Sequence, residues 1–199
     1  MKKYKKLLTA CVALAVTVVV IGLGCWCVYI SDYPIREDNS NLLEHLTQFM
    51  NRESVGESAV KLYDSVDIGN RRIALMEIVQ VEDSALGLAF LDRGWNGQYR
   101  IDHVSHGSGS LKKDIVTSGR QKYVVIGGRN AYFGIASIEV ALQGKKYNIE
   151  VPEGDRFLVC TEIDPLTEPT YVLLENIRLY DRGGGDITDP VIRAGSRST

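Results

Sequence analysis

The stretch from Leu7 to Ile30 runs for 24 residues without a charge, interrupted among its apolar and cysteine positions only by Thr9, Thr17, Gly22 and Gly24. A helix that is apolar all round belongs in lipid or in the centre of a large core. At about 1.5 Å per residue it reaches roughly 36 Å, enough to cross a hydrocarbon layer of about 30 Å with some tilt. A helix also satisfies its backbone groups internally, which lipid cannot do. Lys2, Lys3, Lys5 and Lys6 precede the run and no acid appears before Asp32. The positive-inside bias therefore places residues 1–6 in the cytoplasm, residues 7–30 in the membrane and residues 31–199 outside, with Trp26, Tyr29 and Tyr33 suited to the far interface.

Two rival readings are weighed. A cleaved signal peptide has an apolar core of about 7–15 residues before a small-x-small site. Gly22 and Gly24 offer such a site ahead of Cys25, yet the apolar run continues to Ile30. A lipoprotein needs a cysteine behind an apolar core. Cys11 follows Leu8-Thr9-Ala10 with almost no core before it, and Cys25 has the core but Gly22 where leucine is usual. Length favours the retained anchor; secretion after cleavage is the alternative.

The charge distribution agrees with an exported body. The net charge of −2 is the balance of +4 ahead of the run and −6 after it. With 45% hydrophobic and 24% charged residues, the composition excludes a disordered chain, a collagen-like chain and a strongly basic nucleic-acid binder. Of four cysteines only Cys160 lies beyond the anchor, so the body must be held by packing and not by disulfides. In Phe157-Leu158-Val159-Cys160 this thiol reads as buried and inert.

Residues 31–58 are expected to form a polar spacer, Ser31 to Asp38, followed by a short amphipathic helix capped by Asn39, Ser40 or Asn41. Leu42, Leu43, Leu46, Phe49 and Met50 make its apolar stripe, and Gly56 is its expected break. From Ala59 to Tyr180 the period shifts towards two. Ala136, Ile138, Val140 and Leu142 alternate with polar partners, as do Tyr147, Ile149 and Val151. Arg72 to Val81 admits a strand or a helix, while Phe157–Glu162 and Tyr171–Tyr180 read as strands. Asn96-Gly97 is a hairpin signal because both positions accept positive φ. Gly127-Gly128-Arg129-Asn130, Gln143-Gly144-Lys145 and Pro152-Glu153-Gly154-Asp155 read as further turns. The expected class is mainly β: an antiparallel β-sandwich or barrel-like sheet with a short N-terminal helix, preceded by one transmembrane helix. Residues 181–199 are expected to be a disordered tail.

The lysine-led anchor, the amphipathic helix, the segment from Gly87-Leu88-Ala89-Phe90 through Gly94-Trp95-Asn96-Gly97-Gln98-Tyr99-Arg100-Ile101, and Phe157-Leu158-Val159 together resemble small membrane-anchored extracytoplasmic β-rich proteins of Gram-positive bacteria. The resemblance spans most of residues 1–180. It implies an envelope location and supplies no catalytic residue.

Chemistry-bearing residues are sparse. His103 and His106 fall on opposite faces of a regular strand, which argues against a shared metal ion. Gly107-Ser108-Gly109-Ser110 lacks the GxSxG pattern of a nucleophile elbow and reads as a loop. Asp181, Asp186 and Asp189 surround three glycines without calcium-loop spacing. No nucleotide-binding loop is present, and no cofactor is expected. Trp95, Tyr99, Tyr132 and Phe133, near turns, are the candidate ligand- or partner-binding residues; the competing reading folds them over their own sheet as lids on the core. The expected function is a non-catalytic binding or assembly module of the cell envelope. Its contacts are membrane lipid through residues 7–30 and an envelope protein or glycan outside. The alternative is a cell-surface hydrolase using Asp92 or Asp102 with His103.

Overall fold

In the computed structural model, which describes residues 2–52, 58–80 and 84–195, the uncharged run lies within helix α1 (Lys2–Asp32). None of its apolar window Val12–Asp32 is buried by the rest of the chain. The helix takes in Ser31 and Asp32, which the sequence assigned to the spacer; the Ser31 hydroxyl donates to the Cys27 carbonyl one turn back, at 3.0 Å. It ends just before Pro34, whose ring disfavours helical backbone in the preceding residue.

The expected spacer is stitched to the body. Ile35, an apolar residue in a polar stretch, is fully buried and exchanges both backbone hydrogen bonds with Tyr99, at 2.9 and 2.7 Å. Helix α2 (Leu42–Asn51) follows, with Leu42 and Leu46 buried and Phe49 and Met50 half-buried, while Leu43 faces solvent. Asn41 occupies the N-cap without capping the helix. Its side chain instead accepts from Arg36 N–H and donates to the Pro34 carbonyl, holding the entry turn. The expected break at Gly56 and the strand position Val81 lie outside the described residues.

Among the described residues ten strands follow: β1 (Ala59–Ile68), β2 (Arg71–Val79), β3 (Ser84–Arg93), β4 (Tyr99–Gly107), β5 (Leu111–Ser118), β6 (Gln121–Arg129), β7 (Ile135–Leu142), β8 (Lys145–Glu150), β9 (Arg156–Ile163) and β10 (Ile177–Asp181). The body is mainly β and its pairings are antiparallel, as expected. The strands form a four-stranded first sheet β1-β2-β3-β4, a middle sheet β5-β6-β9 and a third sheet β10-β7-β8, and none closes into a barrel.

Side-chain parity explains how these sheets pack. Ala74, Met76 and Ile78 on one face of β2 join Ile35, Leu42 and Leu46 in the core beneath α2. Ile73 and Leu75 on the other face meet Val125 and Leu158 of the middle sheet. Val124, Ile126 and Phe157, on the middle sheet's opposite face, pack with Ile138, Val140 and Leu179 of the third. Strands covered on both faces lose polar alternation. That is why Arg72–Val81 read ambiguously; its residues up to Val79 are strand.

Among the described residues β-bulges break the period-two pattern at three places, one of them between Tyr180 and Asp181 opposite β7, and two bear on the packing of the first sheet. Register shifts between Leu62 and Asp64 on β1, leaving Tyr63 as the extra residue, and between Phe90 and Leu91 opposite β4, where Asp102 is extra. A bulge bends its strand and re-aims side chains. Leu62 therefore faces the α2 core while Val66 and Ile68, of the same parity, face the middle sheet.

Several expected turns are corrected. At Trp95-Asn96-Gly97 only Gly97 has positive φ, +76°. Gly97 N–H donates to the Gly94 carbonyl and Gly94 N–H to that of Gln98, making a three-residue loop in which glycine takes the left-handed position. The two-residue turn with both φ positive is at Gln143-Gly144. Gly127-Gly128-Arg129 is no turn but the end of β6. A Cβ on Gly127 would come within 2.6 Å of Leu75 Cδ1, so this glycine lets the first and middle sheets approach; one on Gly128 would come within 2.4 Å of the ring of its cross-strand partner Phe157, so that glycine makes room for the ring within its own sheet. Tyr171–Asn176 is also not strand: Leu174–Asn176 is a single 3-10 turn and pairing resumes at Ile177.

The expected tail is folded as far as it is described. Tyr180 bridges to Asp186, Ile187 N–H donates to the Leu179 carbonyl, and helix α3 (Thr188–Gly195) places Val191 fully buried against the third sheet's core. Asp186 accepts from Thr188 N–H at 2.9 Å, and Pro190 sits in the first turn, where its missing N–H costs nothing. The remaining positions of that expectation, residues 196–199, lie outside the described residues.

Candidate functional site

The four aromatic residues singled out by the sequence do not form one surface. Tyr99 is 1% exposed, in the core beneath α2, with the Arg72 guanidinium 4.2 Å from its ring centroid. Phe133 packs against the third-sheet core. Trp95 and Tyr132 are exposed, at 92% and 94%. They lie towards opposite ends of β3, about 30 Å apart by strand rise. Trp95 follows the Arg93 end, whereas Arg129, three residues before Tyr132, bonds the Ser84 carbonyl at the other.

At the Trp95 end the body meets α1. The Tyr29 hydroxyl accepts the Trp95 backbone N–H, and the two rings lie 5.4 Å apart between centroids. Tyr29 also contacts Trp26 at 6.1 Å and Tyr33 at 5.0 Å, giving one aromatic cluster on two distant segments. Arg100 lies 5.1 Å over the Tyr33 ring. Beside it a groove of about 360 Å³ opens between the end of α1, helix α2 and β4; Asp32, His45, Phe49, Arg52 and Arg100 are among its lining residues. Arg72 fixes the intervening chain. It is buried, holds Asp67 through two bonds of 2.6 and 2.8 Å, and donates to the Glu37 carbonyl and to Asn39 Oδ1. Hydrogen bonds from Arg72 and its charge outweigh burial and hold the Asp67 carboxyl below its ordinary range.

The opposite end carries a site the sequence did not single out. Glu77 is 5% exposed, yet its carboxylate is satisfied on both oxygens. Oε1 accepts from Arg129 at 2.5 Å and Ser84 at 3.1 Å; Oε2 accepts from the Tyr63 hydroxyl at 2.6 Å and Arg156 at 3.4 Å. Burial opposes ionisation, but the hydrogen bonds from Tyr63 and Arg129 and the charges of Arg129 and Arg156 prevail, lowering the pKa to about 2. Each guanidinium keeps a buried Nε without an acceptor. A groove of about 450 Å³ lined by Tyr63, Asp64, Asp155 and Arg156 adjoins the cluster. The available signal was one acid in the otherwise apolar stretch Ile73–Val79.

The hydrolase candidates are tied to arginines. Asp92 lies 3.3 Å from Arg71 and 3.7 Å from Arg100; Asp102 lies 3.8 Å from Arg71 and 3.0 Å from His103 Nδ1. His103 stacks on buried Phe90 at 4.4 Å, so its ring covers the core between the first two sheets. The bulge at Asp102 precedes His103, so His103 and His106 keep opposite faces. Burial pushes the Cys160 thiol up, consistent with an inert core position. Ser110 is buried in the β4–β5 loop and its carbonyl accepts Arg129 N–H. Asp181 uses Oδ1 to accept from Gly183 and Gly185 N–H, each at 2.8 Å, so this acid shapes a glycine turn.

No family model, curated protein or solved structure gives a significant match to this chain.

Proposed function

We propose that this chain is a single-pass envelope protein, with its N-terminus in the cytoplasm and its β body outside, that serves as a non-catalytic binding or assembly module. The observation that carries this reading is the seam between Tyr29 and Trp95. The end of the apolar helix takes part in the body's own packing, as a retained anchor would, whereas a cleaved leader has no reason to pack on its mature domain. The exposed apolar flank of α1 and the four leading lysines support the same orientation.

The resemblance to anchored extracytoplasmic proteins of Gram-positive bacteria agrees with this placement. A protein or glycan partner outside would meet the end of the body remote from α1. There Tyr132 stands free and the Tyr63–Arg156 groove combines an aromatic face with hydrogen-bonding groups.

The test has two parts. The intact mass of the membrane-extracted protein should retain the segment Lys2–Ile30; a mass beginning after Gly24 would overturn the anchor. Protease added outside intact cells should digest the β body, and complete protection would overturn the orientation. For binding, the full chain in detergent should retain an envelope protein or glycan, and Tyr132→Ala should reduce that retention at unchanged folding.

A further inference from the structure

We propose that the face of the body next to α1 is a second membrane contact: the β3–β4 hairpin sets Trp95 in the outer headgroup layer, and the groove holding Arg52 and Arg100 takes a lipid phosphate. This rests on the anchor reading and adds what the body does beside its anchor.

The geometry limits how far Trp95 stands from the lipid. Trp26 and Tyr29 are three residues apart on α1, about 4.5 Å along its axis, and the Trp95 ring centroid lies 5.4 Å from that of Tyr29. The polar layer on each side of the hydrocarbon is several ångströms deep. If Trp26 marks the hydrocarbon boundary, Trp95 stands at most about 10 Å beyond it, within reach of the headgroups. A tryptophan is suited to it, with an apolar body and one N–H donor. The hairpin is also braced, because Arg93 pairs with Glu37 and the Trp95 backbone is bonded to Tyr29. Its 92% exposure is therefore presented by a rigid support.

The groove supplies the charge. Arg52, Arg100 and His45 line it together with one acid, Asp32, beside the C-terminal end of α1. Arg100 is oriented by Tyr33 beneath it and by Asp92 at 3.7 Å. A guanidinium matches a phosphate diester through paired N–H donors. Outside the leaflet such a face, with a bare tryptophan and clustered arginines, would be left in water.

Because Trp26 and Trp95 are the only two tryptophans, single-tryptophan variants separate anchor from docking. Full-length W95F retains Trp26 and full-length W26F retains Trp95; each is reconstituted in phosphatidylcholine–phosphatidylglycerol vesicles containing brominated lipid. Trp26 and Trp95 should both be quenched at least twofold relative to vesicles without bromine. Quenching of Trp26 alone overturns the docking and leaves the anchor standing. Quenching of neither overturns the anchor and the docking with it. In W26F, adding R52E should lower Trp95 quenching by half or more at unchanged circular dichroism, and no change would overturn the groove's part in the contact.

Discussion

Glu77 on β2 and Arg129 on β6 meet across the space between the first and middle sheets, with 2.5 Å between Oε1 and Nη2. Arg156 of β9 and the bulged Tyr63 of β1 close on the other carboxylate oxygen. With Ser84 of β3 also bonded to Oε1, five strands of two sheets are pinned at one acid. Replacing Glu77 by Gln keeps the shape but leaves two partly buried guanidinium groups facing a neutral amide. Breaking a buried pair from one side costs about 3 kcal/mol or more. Glu77→Gln should lower stability by that amount in denaturant titrations of the full chain in detergent; a loss under about 1 kcal/mol would mean the pair does not hold the sheets together.

The same acid sets a pH dependence. Its pKa falls from 4.5 to about 2 on folding, so the folded state binds its proton less readily than the unfolded state. The stability this provides is complete above about 4.5 and is lost as pH falls through about 2. Roughly 2 kcal/mol should be gone by pH 3. Denaturant midpoints of wild type and Glu77→Gln should therefore converge between pH 5 and pH 3. Parallel curves over that interval would rule out Glu77 as the source.

What the sequence made legible follows from local chemistry. The uncharged run forms α1 whatever the rest does, and β7 alternates because one of its faces is covered. Reading failed where one residue's meaning depends on a distant one. Tyr63 is re-aimed by a bulge, and the partners of Glu77, Arg129 and Arg156, lie 52 and 79 residues away. The Asn96-Gly97 turn left Trp95 either at a hairpin tip or folded over its own sheet, and its partner Tyr29 is 66 residues away. Tyr99 read as a neighbour on that turn, yet its ring is claimed by Arg72 and the core beneath α2.

Gly127 shows how a residue type can mislead. In a sequence Gly-Gly signals a turn, but here the absent side chain admits Leu75 and Leu88 of the facing first sheet. Gly127→Val would force those buried leucines aside, an overpacking cost of about 1–3 kcal/mol. Gly109, whose added Cβ would meet nothing nearer than 3.6 Å, is the control; Gly109→Ala should change stability by less than about 0.5 kcal/mol. Equal thermal shifts for the two variants would remove the close-approach argument.

Val191 gives a direct test of the folded C-terminal segment. It is fully buried among Ile187, Leu179 and the third-sheet core. Val191→Ala removes two methyl groups from that site and should cost about 2 kcal/mol. Val191→Asp, which would put a carboxylate there, should cost more. If residues 182–195 were instead a mobile tail, both changes would leave the unfolding midpoint where it is.

The seam between helix and body predicts a local effect separable from global stability. Tyr29→Phe keeps the ring contacts with Trp26, Tyr33 and Trp95 but deletes the oxygen that accepts the Trp95 N–H. A lost hydrogen bond of this kind is worth about 1 kcal/mol, equivalent to roughly a fivefold rise in the open population of that amide. Hydrogen–deuterium exchange of the peptide spanning Arg93–Gln98 should therefore speed up by about that factor, while the β6 amides, in the middle sheet and remote from α1, stay unchanged. Trypsin should also reach Arg36 sooner, because the chain joining α1 to α2 is held from one side by this seam and from the other by the pairing of Ile35 with Tyr99. Exchange at the hairpin that is indifferent to Tyr29 would mean the helix end and the body are merely adjacent, and the bracing of Trp95 would have to come from the Arg93–Glu37 pair alone.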